Sequence, residues 1–276
     1  MKQIREYGLV LAIDSPTRDA TLGHVASLGP LVDGIKIGVP TLLTNGSSIV
    51  SRVRDLFDGP LIADLKVADI GFRAKESGPW SGTNRAIVEA AVSAGINYVI
   101  CHSIVGTSSI EECVATAHAM GGKVLTLPFM TQRGAGLFFD HPADLSYVSG
   151  WLDELGLKSV GDALASLAER KKSEQGWRSW SVTLSDLLIL LGEHIGVDGY
   201  IGPANRTEVL RDYRKMTSRL VMATGVGRQG GALAEVYESL GKNSAAIVGH
   251  SIYDRPDPVA ACEEYLAERV QVTRGR

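Results

Sequence analysis

The fold class this sequence predicts is a closed barrel of parallel strands wrapped in helices, the (β/α)8 or TIM barrel. Short β-branched runs recur eight times in 276 residues, amphipathic stretches separate most of them, and the length suits one such barrel. The strand candidates are 8–14, 33–38, 60–66, 97–102, 123–128, 199–203, 219–225 and 245–250. Each is short, apolar and bounded by turn residues. Helical patterns run over 83–95, 106–121 and 204–216. Alternation alone does not prove closure, so an open doubly wound sheet is the alternative. No Gly-x-Gly-x-x-Gly follows the first run, which argues against a dinucleotide site there.

The whole chain, 1–276, reads as a single barrel domain with two departures from the minimal repeat. Residues 70–82, IGFRAKESGPWSG, lengthen the connection after strand 3. Residues 136–182 add a long segment after strand 5, charged and helical in its middle and carrying Trp177 and Trp180. Both leave from the C-terminal ends of strands, the face on which barrel active sites lie. They read as lids or as an oligomer contact.

A net charge of −3 leaves no electrostatic footprint for nucleic acid or an anionic membrane. The apolar run near the N-terminus ends at Asp14, and LLILLG at 187–192 is far too short to span a bilayer. Cys101, Cys113 and Cys262 show no metal or redox spacing and read as buried, reduced thiols, which places the protein in the cytoplasm. Asp140 and His141 are adjacent but lack a third ligand for a metal.

Strand 3, LIADLKVADI, carries Asp64 and Lys66 two positions apart, hence on one face, with Asp69 just beyond. In DGIKIG, Lys36 lies between Ile35 and Ile37, so it faces the barrel interior if the isoleucines face the helices. Asp14 ends strand 1. Three neighbouring strands thus bring Asp14, Lys36, Asp64 and Lys66 to one barrel mouth with alternating sign. A solvated ion pair is an adequate account of any one of these residues, but not of all four. Each desolvated charge costs several kcal/mol, and a hydrophobic replacement is often as stable. A fixed charge array can, however, favour a transition state whose charge differs from the ground state's. A lysine among carboxylates stays protonated and can serve as a general acid.

A second cluster follows strands 7 and 8: Gly227, Arg228 and Gln229 in TGVGRQGG, and Gly249 and His250 in VGHS. Glycine-rich turns mostly serve chain reversal, but this location in a barrel often cradles phosphate. His102, ending strand 4, reads as a hydrogen-bonded structural residue, and Tyr253 as packing.

With these residues in place, the chain resembles the orotidine 5'-phosphate decarboxylase family. The match runs through LAID, IKIGVP, IADLKVADI, TNRAI, GPANR, GVGRQGG and IVGHSIY and covers nearly everything except the two insertions. Related sugar-phosphate decarboxylases share the strand-3 element but carry a glutamate where this chain has Lys36. The resemblance implies that Asp14 holds a ribose hydroxyl and that Lys36 contacts the ribose and Asp64. It implies that Asp64 crowds the substrate carboxylate and that Lys66 protonates the carbon left behind. It further implies a homodimer in which Asp69 and Thr83 reach the partner's site, completing a Lys-Asp-Lys-Asp array. Thr131 would recognise the pyrimidine edge, and Gln229 would bridge base and phosphate. The implied chemistry uses neither metal nor organic cofactor.

The chain departs from the family where an arginine in strand 8 usually binds phosphate. Here the residue is His250, which is shorter and lacks the guanidinium fork. Arg228, in the neighbouring loop, is one source of replacement charge. The other expectation is a changed substrate, a different nucleotide-like or phosphorylated acid. A non-catalytic nucleotide binder has no use for the paired lysines and carboxylates. A Schiff-base aldolase needs a neutral lysine, which those carboxylates disfavour.

Overall fold

The β-branched runs pair in sequence order. The structure, a computed structural model, describes residues 4–75, 77–175 and 182–274. The strands are β1 Tyr7–Ile13, β2 Gly34–Gly38, β3 Leu61–Val67, β4 Tyr98–His102, β5 Lys123–Leu127, β6 Gly199–Pro203, β7 Leu220–Thr224 and β8 Ser244–Val248. Every neighbour is parallel, and β8 returns to β1, so the sheet is closed and the open-sheet alternative is excluded. Each strand lies within two residues of its predicted bounds, and the three predicted helices form as Thr83–Ser93, Thr107–Ala119 and Thr207–Met216.

Alternation along each strand sorts side chains into two layers. Val10, Ala12, Ile62, Tyr98, Ile100, Leu125, Leu127, Ile201, Met222, Ala245 and Ile247 fill the barrel. Leu9, Leu11, Ile13, Ile35, Ile37, Leu61 and Ala63 point outward and pack beneath the helices. At the N-terminal face, polar side chains tie the strand ends together. Asp33 accepts from the Leu9 N–H at 2.9 Å and pairs with Arg269 of the C-terminal helix at 2.6 Å. Arg54 donates to the carbonyls of Gly59 and Gly95 and to the Asn97 side chain.

The insertions do not disturb this frame. Residues 70–82 form an excursion pinched by an isolated antiparallel bridge between Arg73 and Trp80, with the Arg73 guanidinium 3.7 Å above the Trp80 ring. The segment after β5 contains the helices Gly136–Phe139, Leu145–Glu154 and Lys158–Gln175. They bury small clusters of their own, Leu152, Leu157 and Val160 in one and Leu164, Leu167, Ala168 and Val182 in the other. Both clusters lean on Leu187 and Leu190 of helix Leu184–Ile195, the helix that contains the LLILLG run. Burying each leucine contributes roughly 2 kcal/mol, so the two longer helices dock on clusters of their own, while Phe139 of the first joins the main core. Trp177 and Trp180 lie outside the described residues.

The added segment is also fastened by charge. Lys171 is buried and pairs with Asp186 at 2.7 Å and Asp212 at 3.4 Å, while Asp186 also accepts from the Thr183 N–H. Removing the cation leaves two carboxylates facing one another in a dry setting. Lys171→Met should lower unfolding stability by about 3 kcal/mol, measured by urea denaturation. A loss within error of zero would show that the tether is not a stabilising contact.

Candidate active site

The C-terminal mouth of the barrel opens into a cavity of about 280 Å³. Asp14, Lys36, Asp64, Lys66, Thr131 and Gln229 line it, above an apolar floor that includes Ile100, Leu127, Ile201 and Ile247. Six residues singled out from sequence therefore share one space. The floor residues were not separable from ordinary core by sequence, because they continue the inward-facing rows of β4, β5, β6 and β8.

Register explains how the charges arrive. Lys36 pairs with Ala12 on one side and Ile62 on the other, both interior residues, and is 6% exposed. Its Nζ lies 2.5 Å from Asp64 Oδ2, and Lys66 Nζ lies 2.7 Å from Asp64 Oδ1. One carboxylate thus accepts from two ammonium groups. Burial alone pushes the Asp64 carboxyl up, but the charges and hydrogen bonds of Lys36 and Lys66 outweigh it and hold the group below its ordinary range.

Asp64 and Lys66 do not meet by simple strand alternation. Between Ala63 and Val67 the ladder to β4 slips, four steps of β3 matching two of β4, from Val99 to Cys101. Lys66 sits in this bulge at φ 48°, a left-handed conformation that side chains other than glycine rarely adopt. The bulge turns its side chain back toward Asp64 at the cavity mouth. Asp14 reaches the same mouth because Gly38 has no side chain: a Cβ there would stand 1.7 Å from Asp14 Oδ1.

Thr131 Oγ1 donates to Gln229 Oε1 at 3.0 Å, joining the loops after β5 and β7 across the opening. The glycine loop is knotted by its own backbone: the Gly227 N–H donates to the Gly231 carbonyl and the Gly230 N–H to the Gly227 carbonyl. Gly227, at φ 77°, passes so close to Ser251 that a Cβ would lie 2.4 Å from its Oγ. The Arg228 N–H donates to that same Oγ. His250 Nδ1 lies 3.1 Å from Tyr253 Oη, and Tyr253 stacks between His250 and His24. Burial first, then Asp14 and Asp254, push the Tyr253 hydroxyl up to about 12. Gly227, Arg228, Gly249 and His250 lie around this loop rather than on the cavity wall. His102 accepts from the Ile104 N–H through Nδ1 and stacks on Phe139, as a structural residue does.

Asp69 and Thr83 do not line the cavity of their own chain; both are exposed on the outer surface beyond β3. The Asp69 carboxylate accepts from the Ile70 N–H at 2.7 Å.

A closed eight-stranded parallel barrel with lysines and aspartates converging at its C-terminal mouth defines the class: a (β/α)8-barrel enzyme with a charged mouth. Residues 8–265 match the model of the orotidine 5'-phosphate decarboxylase / HUMPS family, and the chain belongs to that family. It is 30% identical over 97% of its length, and 96% of the relative's, to an orotidine 5'-phosphate decarboxylase of Methanosarcina mazei. It is 26% identical over 93% of its length to that of Methanocaldococcus jannaschii. The crystal structure of the M. jannaschii orotidine 5'-monophosphate decarboxylase, complexed with the inhibitor BMP, covers 97% of this chain and is itself 99% covered. Its TM-score is 0.73 at 25% identity.

The strained lysine provides a direct check on the bulge. Lys66→Gly and Lys66→Ala both remove the ammonium, but only glycine is at ease at this φ. The glycine variant should be more stable than the alanine variant by about 1 kcal/mol, read from urea midpoints at equal slope. The reverse order would mean that Lys66 is not held in the left-handed region.

Proposed function

We propose that this carboxy-lyase of pyrimidine biosynthesis converts orotidine 5'-phosphate to uridine 5'-phosphate in the cytoplasm. The reading is carried by the Lys36–Asp64–Lys66 triad at the rim of a cavity shared with Asp14. Full-length similarity to curated decarboxylases supports it.

In this reading the pyrimidine lies over the apolar floor, its edge toward Thr131 and Gln229, and the ribose lies toward Asp14 and Lys36. The C6 carboxylate is set beside Asp64. Like charges about 4 Å apart repel by about 4 kcal/mol at an effective dielectric near 20, and loss of neutral carbon dioxide relieves that repulsion. The C6–carboxylate bond breaks with its electron pair left on C6. The Lys66 ammonium faces the developing carbanion, stabilises it and delivers a proton to C6, and solvent then restores the lysine's proton. All of this stabilisation is oriented before the substrate arrives, which makes fixed charge effective. The residues of this chain account for each step with no metal or organic cofactor. In a homodimer, the exposed Asp69 and Thr83 would serve the partner's site.

His250 in place of an arginine also supports a second reading, a decarboxylase acting on another nucleotide-like or phosphorylated acid. The two are separated by following the ultraviolet absorbance of orotidine 5'-phosphate. The wild type should turn it over, and Lys66→Ala should lose at least about 10³-fold in kcat. No turnover of orotidine 5'-phosphate by the wild type would reject the first reading, and binding of uridine 5'-phosphate alongside that failure would favour a non-catalytic nucleotide binder.

At the phosphate end, Arg228 is taken to supply the charge that His250 lacks. Arg228→Ala should raise KM for orotidine 5'-phosphate by about tenfold or more, and His250→Ala by clearly less. Equal effects, or none, would remove Arg228 from that role.

A further inference from the structure

Asp69 and Thr83 are fourteen positions apart with the insertion between them, yet a buried polar network fixes both. Asn84, fully buried, makes three hydrogen bonds with its side-chain amide. Its Oδ1 accepts from the Asp69 N–H at 3.1 Å, and its Nδ2 donates to the Asp69 carbonyl at 2.8 Å and to Ser109 Oγ at 3.0 Å. Ser109 Oγ in turn donates to the Asp69 carbonyl at 2.7 Å. The main chain of Asp69 is thereby clamped at both its N–H and its C=O by side chains of two adjacent helices, Thr83–Ser93 and Thr107–Ala119.

A second clamp holds the other end of the excursion. Glu112, also fully buried, accepts from the Gly82 N–H through Oε1 at 2.6 Å. Its Oε2 is buried with no hydrogen-bond partner among the described residues. Gly82 immediately precedes Thr83, and a Cβ on Gly82 would lie 2.6 Å from that oxygen and 2.9 Å from the Ile70 carbonyl. A buried carboxylate oxygen without a partner is a net cost to stability. Ordinary helix packing gives no reason for its presence.

We propose that Asn84, Ser109 and Glu112 are positioning residues for catalysis. They hold Asp69 and Thr83 in one geometry, for use not by their own cavity but by that of a second copy of this chain. The inference rests on the proposed reading of a site shared between two copies. It adds the device that presents the shared residues. Ile70, next to Asp69 in the chain, and Phe72 and Ile104 are exposed apolar side chains of the kind a second copy would cover. A clamp acting on backbone rather than on the Asp69 carboxylate leaves that carboxylate free to face outward.

The test combines kinetics with mixed dimers. Asn84→Asp keeps the shape of the side chain but replaces both donors by an acceptor, and Ser109→Ala removes the second donor to Asp69 with little change in volume. Either variant, folded as judged by circular dichroism, should lose kcat for orotidine 5'-phosphate, Asn84→Asp on the order of a hundredfold. KM should change far less. Each variant is then mixed with Lys66→Ala after partial denaturation and refolding. A hybrid contains one site with Lys66 from one chain and a correctly held Asp69 from the other, so activity should return to about a quarter of wild type under random pairing.

A mixture of Lys66→Ala with Asp69→Ala is the reference for site sharing itself. Recovery there but not with Asn84→Asp or Ser109→Ala would overturn the positioning role and leave the shared site standing. Failure in the reference mixture would reject the shared site, and the positioning role with it. Wild-type kcat in both folded variants would also overturn the proposal.

Discussion

The contact on which this site depends is the carboxylate of Asp64 held between two ammonium groups. Lys36 is almost wholly buried, and nothing in the interior rows of the barrel would accommodate it without Asp64 at 2.5 Å. Asp64 keeps its charge against desolvation because Lys36 and Lys66 both donate to it. Neither residue is tolerable alone, and an apolar pair in their place would pack as well. The surrounding sheet is arranged to permit the contact. Outward-facing Ile35 and Ile37 turn Lys36 inward, Gly38 leaves room for Asp14, and the β3 bulge brings Lys66 round to the second oxygen. A left-handed backbone of roughly 1–2 kcal/mol strain at a non-glycine residue persists only where its surroundings enforce it. Here the left-handed residue lies between two fixed points, since β2 pairs as far as Asp64 and β4 resumes its pairing at Val67.

Much of this was legible because it follows from period. Eight short apolar runs between helical patterns specify a barrel, and closure brings the ends of β1, β2 and β3 together. The inward orientation of Lys36 needed only the isoleucines beside it. What period cannot express was missed. Asp64 and Lys66 were read as partners on a regular strand, whereas a ladder slip and a left-handed residue join them. Lysine carries no local signal for such a backbone. Ile100, Leu127, Ile201 and Ile247 form the cavity floor, yet each is indistinguishable in sequence from a core residue. Asn84, Ser109 and Glu112 were hidden for the opposite reason: polar residues on amphipathic helices read as solvent-facing, and only the packing of two helices against each other shows them buried.

Different physics operates at different distances from the cavity. At the mouth, charge is concentrated: Lys36 is buried and Asp64 largely so, while Lys66 reaches solvent. At the loops after β7 and β8, backbone hydrogen bonds within the glycine turn and the Tyr253 stack set the shape, and the ionisable groups, Arg228 and His250, stand to the side. His250, in the short helix His250–Tyr253 after β8, has its hydrogen bond with Tyr253 rather than with the triad. Gln229 accepts from Thr131 across the opening and so links the loop after β7 to the cavity rim.

The same separation explains how the barrel carries two additions at its active face. The excursion after β3 leaves and returns through a neck where a Cβ on Gly71 would lie 2.1 Å from the Ser108 carbonyl, and one on Gly82 would lie 2.6 Å from Glu112. Bulk at the tip of the loop thus cannot move Asp69 or Thr83 without breaking bonds inside the neck. The longer addition after β5 rests on its own apolar clusters and on the Lys171–Asp186 pair, against the outer side of helix Leu184–Ile195. Its Leu137, Phe138, Tyr147 and Trp151 are exposed. In both cases the inserted chain is attached to the outer shell of helices. The strand ends that carry Lys36 and Asp64 are positioned by the register of the sheet.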